Sequence, residues 1–420
     1  MPEKNLRLRN LKQFLVERIS TQEKQALRAL GGDSQSVGSR DYGEMVSSVM
    51  ARVVNCREQV DQQRDESVSL YEELMHHPEE RRQVLVRNSA RFRNWHLCAM
   101  LVDESQLIAY QYPRKAIQLA NLALDVANHL EDTAYAPGTL EDLKARCLYS
   151  LGNARRMNGD VVRLVEEALA ASEEHLSRGT GDPLEEATLL AMKGTLRGDQ
   201  GRYKECFSLM DRAALICQRY GEDNQQSRML VRKGIFCGYA GDPKQAIELF
   251  LTSLELMDAR KEPRLKVAAI HNLILNLNEL GRHQQAARML EKERGFLLEF
   301  GDRLDRFRLR WLEGRIAHSR NDLEEAETAL AETLRSFMHE GIAIDVAKIS
   351  LELAEIYLEQ GRTAEIKQLM EEILPCFKAS DLHREAFAAI ILFQKAAEME
   401  RVTLSLIQDS MAKLSRIRHN

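Results

Sequence analysis

A left-handed turn residue recurs in this chain at a nearly constant interval. Gly159, Gly201, Gly241, Gly281, Asn321 and Gly361 are separated by 42, 40, 40, 40 and 40 residues. Each lies between two stretches whose apolar residues follow helical periodicity. Gly, or failing that Asn, is what a helix needs where its last turn swings into the left-handed region. Two further columns keep the same interval. Seven residues before the turn stand Gly152, Gly194, Gly234, Ile274, Gly314 and Ala354. A glycine inside a helix costs about 1 kcal/mol against alanine, so a column of them implies that another helix passes too close for a side chain. Five residues after the turn stand Leu164, Cys206, Ala246, Ala286, Ala326 and Ile366, the face expected to cross the first helix closely. The segment 112–117 parallels 242–247 and puts an earlier turn near Gln111, while Pro113, Pro183 and Pro243 mark helix starts. The reading is about eight helical hairpins, near 88–130, 140–177, 184–220, 224–258, 264–299, 303–339, 343–377 and 381–417. The fold class expected is all-α, a solenoid of hairpins with a period of about 40 residues preceded by a small helical N-terminal module.

A small residue, twelve positions and then alanine, within paired amphipathic helices, resembles the tetratricopeptide repeat (TPR). Gly234 with Ala246 and Phe250 matches best, and Gly314 with Ala326 next. The resemblance covers about residues 88–417; the longer period makes the array a divergent one. Arg91-Phe92-Arg93-Asn94-Trp95 and Tyr112-Pro113-Arg114-Lys115-Ala116 are similar to a group of bacterial TPR proteins. In that group a small segment like the zinc finger of anti-sigma factors often precedes the repeats.

Two regions follow, 1–86 and 87–420. In the first, Leu8, Leu11, Phe14, Leu15 and Ile19 form one apolar helical face, Ser20-Thr21-Gln22-Glu23 is a capping box, residues 31–41 read as a Gly/Ser linker, and a long polar helix ends near Met75. Leu11 to Leu30 is similar to the zinc-finger segment in apolar spacing, but Leu27 to Ser36 contains no His or Cys, which makes it a degenerate copy without zinc.

Composition narrows the function classes. With 44% hydrophobic and 29% charged residues the chain can bury a large core, and 22 Gly and 8 Pro suit long helices. A net charge of −5 gives no drive toward nucleic acid or anionic membrane. The longest apolar run, Ala386 to Phe393, is far short of the ~20 residues of a membrane helix, and Met1 to Asn10 carries no secretory signal. Seven scattered cysteines without a CxxC pair read as reduced, buried thiols of a cytoplasmic protein. No phosphate-binding glycine loop, HExxH or EF-hand occurs. His76-His77, and His96 with Cys98, diverge on their helices; Cys206 and Cys217 share one face as core; Arg197-Gly198-Asp199 falls at a helix end without evident role. No enzyme, cofactor or metal is expected.

What a TPR resemblance implies is a concave face lined by the first helix of each hairpin, at positions six and three before the small residue and one and four after it. Carried over residue by residue, this gives Arg146, Tyr149, Asn153 and Arg156; Arg228, Val231 and Ile235 with Arg232 alongside; Ala268, His271 and Leu275 with Asn272 alongside; Arg308, Trp311, Arg315 and His318; and Lys348. That stripe is basic and aromatic, suited to carboxylates and main-chain amides. Trp311 fits either the core or the groove wall, and reversing Arg308 and Arg315 is expected to weaken binding without unfolding. The function expected is a non-catalytic cytoplasmic scaffold or sensor that binds a peptide or protein segment, with acidic or carboxylate groups the chemistry that the stripe would suit, and with no direct nucleic-acid or membrane contact. The alternative is a signal-responsive transcription regulator acting through residues 1–86 on a sigma factor or other regulator.

Overall fold

The computed structural model describes residues 64–131, 135–378 and 403–417. The capping box, linker and zinc-finger-like stretch of the N-terminal region, and the first helix of the eighth hairpin, lie outside the described residues. The repeat array belongs to a compact unit that begins at Ser67. Every regular element among the described residues is helical.

Residues 67–75 are helical and end at Met75, followed by α1 (Glu79–Asn88) and a short 3-10 turn. Seven complete hairpins then succeed one another among the described residues: α2 (Trp95–Ile108) with α3 (Pro113–Asn128), α4 (Thr139–Asn158) with α5 (Val162–Arg178), α6 (Pro183–Asp199) with α7 (Tyr203–Arg219), α8 (Asp223–Tyr239) with α9 (Pro243–Leu256), α10 (Pro263–Glu279) with α11 (His283–Phe300), α12 (Arg303–Ser319) with α13 (Leu323–Glu340), and α14 (Ala343–Glu359) with α15 (Thr363–Lys378). A last helix, α16 (Leu404–Ile417), packs on α14. The fold is an all-α, TPR-like solenoid of helical hairpins.

The turn column behaves as its chemistry requires. All five glycines have φ between 71° and 82°, and Asn321 has φ 62°. The residue after each turn donates its N–H back to the carbonyl five positions earlier: Arg202 to Arg197, Asp242 to Cys237, Arg282 to Leu277, Asp322 to Ala317 and Arg362 to Tyr357, at 2.7–3.0 Å. That bond satisfies a carbonyl the helix end would otherwise leave open. Pro113, Pro183 and Pro243 open their helices as expected, and Pro263 does so as well.

The small column is where the two helices of a hairpin meet. A Cβ on Gly152 would lie 3.0 Å from Leu169, on Gly194 3.1 Å from Met210, on Gly234 2.8 Å from the Phe250 ring, and on Gly314 3.1 Å from Ala329. Cys206, Ala246, Ala286, Ala326 and Ile366 are fully buried opposite. Leu164 departs from that column: α5 starts three residues after its turn glycine instead of two, and Val165 takes the buried place at 2% exposure.

Residues 67–88 close the N-terminal end of the array. Leu70, Leu74 and Val86 are at most 3% exposed and share one core with Leu97, Leu101 and Leu119 of the first hairpin and Leu143 of α4. An end hairpin needs such a cover, because a stacked unit cannot bury its outer apolar face alone. A truncation that removes only the N-terminal region therefore has to stop before Ser67.

Two glycines in helix interiors should respond in opposite ways. Gly234→Val pushes methyl groups into the Phe250 ring and should destabilise by about 2–3 kcal/mol. A Cβ added to Gly295 in α11 would meet nothing within 4 Å. Gly295→Ala should therefore stabilise by up to about 1 kcal/mol. Urea unfolding followed by far-UV circular dichroism checks both; equal effects would mean the small column is not a steric requirement.

Candidate inner-face binding site

First helices of successive hairpins touch one another: α4 packs on α6, α8 on α10 and α10 on α12. The stack also curls. Gln111, in the turn of the first hairpin, donates from Nε2 to Asp302 Oδ2 at 3.2 Å, and the guanidinium of Arg308 lies 5.1 Å from the centre of the Tyr110 ring. The first hairpin and the sixth thus meet around the face that the first helices line.

On that face the expected basic stripe is present, but most of it is paired. Five arginines each reach an acid on, or capping, the next first helix, about one period further on. Arg146 pairs with Glu185, to which Tyr149 also donates at 3.5 Å. Arg156 donates from Nη1 to Asp199 at 2.7 Å and from Nη2 to Asn153 at 3.1 Å. Arg228 pairs with Glu262. Arg264 pairs with Asp302 at 2.7 Å and also reaches Asp305. Arg315 embraces Glu352, and His318 Nε2 lies 3.1 Å from Glu359. Burial pushes the Asp199 carboxyl up to about 6 although Arg156 pulls it down, and raises Glu185 against the pull of Arg146. These ladders tie hairpin to hairpin. They also cancel much of the positive field that the arginines would present alone.

Trp311 is 7% exposed and packs edge-on against Phe337 in the core shared by α12–α14. Its Nε1 donates to Glu352 at 2.6 Å, and the Arg315 guanidinium stacks 4.8 Å above its ring. Trp311, Arg315 and the buried Glu352 form one knot. Lys348 is 7% exposed, and Arg308 sits between Tyr110 and Asp305.

Two groups escape this pairing. Arg232 has no hydrogen-bonding or acidic partner among the described residues, and α10, the helix that should supply one, carries no Asp or Glu before Glu279. Burial, together with the charges of Arg156 and Arg228, holds its guanidinium down at about 10. Glu355, one position after Ala354 and so on the inner register, also lacks a partner among the described residues; burial and the neighbouring Glu359 and Glu352 push it up against the pull of His318. Glu279, exposed at the end of α10, makes a long ion pair of 4.0 Å with Arg315. Asn153 and Asn272 keep open valences. Asn153 uses its oxygen for Arg156, and Asn272 uses its nitrogen for the Ala268 carbonyl at 2.8 Å.

Reading the register for basic residues alone passes over Glu355 and the acids that complete the ladders. The signal is present in the sequence: an acid stands roughly one period after Arg146, Arg156, Arg228 and Arg315. The tripeptide at 197–199 has a structural role at every position. Arg197 pairs with Glu166, Asp199 with Arg156, and Gly198 leaves room for Phe236, whose ring would lie 2.4 Å from an added Cβ. Cys206 and Cys217 are buried, their thiols pushed up to about 12 and about 11 chiefly by burial. No group of three or more His, Cys, Asp or Glu among the described residues could hold a metal ion, and no helix among them is long and apolar enough to cross a membrane.

A family model described as tetratricopeptide repeat matches residues 185–259, which span the third and fourth hairpins. Among curated proteins, none matches the sequence. Similar solved structures include a Rap protein complexed with competence and sporulation factor, at 13% identity over 75% of this chain and 85% of that one, TM-score 0.57. The apo form of the quorum sensor NprR from B. thuringiensis is similar at 14% identity over 88% and 95%, TM-score 0.53. Aspartyl phosphate phosphatase F from Bacillus subtilis is similar at 12% identity over 82% and 96%, TM-score 0.53. At these identities the likeness is one of fold, and with the family match it supports the TPR reading.

The knot changes what a substitution at Arg315 should do. From the sequence, Arg315 reads as a solvated charge whose reversal spares the fold. Glu352, however, is only 6% exposed. Arg315→Glu should therefore destabilise by about 3–5 kcal/mol, since breaking a buried pair strands the remaining charge. Trp311→Ala should lose a similar amount through the cavity it leaves. A thermal melt near that of the native chain for either variant would place these groups in solvent.

Proposed function

We propose that this protein is a non-catalytic cytoplasmic scaffold or sensor that holds an extended peptide or protein segment along the inner face of its repeat array. One observation carries the reading. Partly buried Asn153 and Asn272, each with an unused amide valence, stand on the same face as partly exposed Ile235 and Leu275. An open amide N–H and an open amide carbonyl can bracket the main chain of an extended peptide, and the apolar neighbours offer shallow seats for its side chains. A stack of hairpins suits such a ligand because every unit adds a few contacts along its length. Two proteins of similar fold point the same way: one is described in complex with competence and sporulation factor, the other as a quorum sensor. Free buried thiols at Cys98, Cys147, Cys206, Cys217 and Cys237 fit a reducing compartment.

Selection from a displayed random-peptide library on the full-length protein tests this. Peptides should be enriched, and Asn153→Ala with Asn272→Ala should weaken their binding by about tenfold or more, equivalent to about 1.4 kcal/mol. Leu251→Ala, on the exposed side of α9, should leave it unchanged. No enrichment, or binding indifferent to both asparagines, would overturn the proposal.

A further inference from the structure

The two groups left out of the ladders stand towards opposite ends of the face. Arg232 lies on α8 with Arg228 one turn before it and the charge of Arg156 acting on it from α4. In that stretch the inner face holds the guanidiniums of Arg156, Arg228 and Arg232 against the carboxylates of Asp199 and Glu262. Towards the other end the balance reverses. Glu279, Asp302, Asp305, Glu352, Glu355 and Glu359 stand there against Arg264, Arg308, Arg315 and His318. Lys348 and Asp345, one turn apart on α14, are both buried and add one charge of each sign. The face is positive across the second to fourth hairpins and negative across the fifth to seventh.

Neither excess is needed for folding. A partly buried charge surrounded by its own sign is unfavourable in the free protein. The helix after Arg232 carries no acid about one period later, and Arg315, one period before Glu355, is taken by Glu352 instead. Each of the two would gain from a ligand of opposite charge what its neighbours already gain from the next helix. They sit on first helices three hairpins apart, at registers that share one face. Three helix-to-helix steps of about 8–10 Å each give a span of about 25–30 Å. An extended chain covers that in about eight residues at ~3.3 Å each, and fewer if the curl of the face shortens the path.

We propose that the inner face binds a peptide segment carrying opposite charges about six to nine residues apart, in one direction only, with a carboxylate on Arg232 and an ammonium or guanidinium on Glu355. This rests on the peptide-binding reading above and adds to it the ligand's charge pattern, length and polarity.

The probe is a set of fluorescent, end-blocked decapeptides with a neutral interior and one Glu and one Lys at every pair of positions, titrated by anisotropy against the full-length protein. Binding should favour one order of Glu and Lys at a separation of about six to nine, by about tenfold over the reverse order. Arg232→Gln should abolish the preference for the Glu position and keep that for Lys; Glu355→Gln should do the converse. The double exchange Arg232→Glu with Glu355→Arg should invert the preferred order. A parallel set with free termini separates a terminal carboxylate from a side-chain one: if the terminus is the ligand, a C-terminal residue replaces Glu without loss. Without ligand, both single variants should melt at or above the native temperature, because each removes a charge repelled by its neighbours; a clear fall in melting temperature would reveal a structural partner and overturn the assignment. Peptides that bind through Asn153 and Asn272 with no charge order would refute this inference alone, and the absence of any peptide binding would refute both readings.

Discussion

The close approach of two helices at one small residue, repeated in most hairpins though not in the fifth, where Ile274 stands, is the constraint on which the rest of the array depends. Where Gly234 lies against the Phe250 ring, no side chain fits between the helices, and the register of the pair is set to the residue. The same contact sets which residues of the first helix turn inward. Because the interval is constant, a residue and its counterpart one period later fall on neighbouring first helices at the same height. The charge ladders follow from this. Arg146 meets Glu185, and Arg315 meets Glu352, because both members are placed by the same repeat.

A second set of small residues does for neighbouring hairpins what the first does within each. Gly198, at the end of α6, lets in Phe236 of α8; Gly238, forty residues on, lets in Asn276 of α10, whose oxygen would lie 2.8 Å from an added Cβ. Phe236 and Asn276 are themselves one period apart. At Gly238 the seat is taken by an amide whose buried oxygen has no partner among the described residues, so the junction between the fourth and fifth hairpins keeps a polar group that an apolar residue would not. The glycines between hairpins follow the period too: Gly181, Gly221 and Gly341 have φ between 69° and 76°, while Gly301, in the same column, is extended with φ −74°.

Much of this is legible in the sequence for one reason: steric and backbone requirements leave residues that little else can replace. A left-handed turn asks for Gly or Asn, and a helix crossing asks for a missing side chain. Gly159 to Gly361 can therefore be read as turns from their spacing alone, and the glycines at 181, 221 and 341 carry the same signal in a second column. Leu164 fails because one extra residue after Gly159 moves the buried face on by one, which periodicity alone does not reveal. The inner face is harder. Arg315 and Arg232 look alike as basic residues on a first helix, yet one is locked to Glu352 and the other has nothing to pair with among the described residues. The difference lies on neighbouring helices, in whether an acid stands about one period later. Trp311 is ambiguous for the same reason: only the positions of Phe337 and Glu352 decide which way its ring is turned.

Stacks of repeats are held by contacts between neighbours, so small errors in each junction accumulate and the curl of the whole is soft. The contact of Tyr110 and Gln111 with Arg308 and Asp302 is of another kind, since it joins the first hairpin to the sixth across the face they enclose. Asp302 is at the same time the N-cap of α12, in a reciprocal capping box with Asp305, and both aspartates accept from Arg264 of α10. A shift of the first hairpin thus bears on the start of α12 and, through Arg264, on α10, the helix that carries Asn272. Arg308 and Trp311 lie one turn apart on α12, so the same helix joins the closing contact to the Glu352 knot. An occupant lying between α8 and α14 would span the junctions on either side of α12. Its binding and the closing contact would then act on the same coordinate, the curl of the array, and the clasp at Tyr110 is where a change in that curl would have to register.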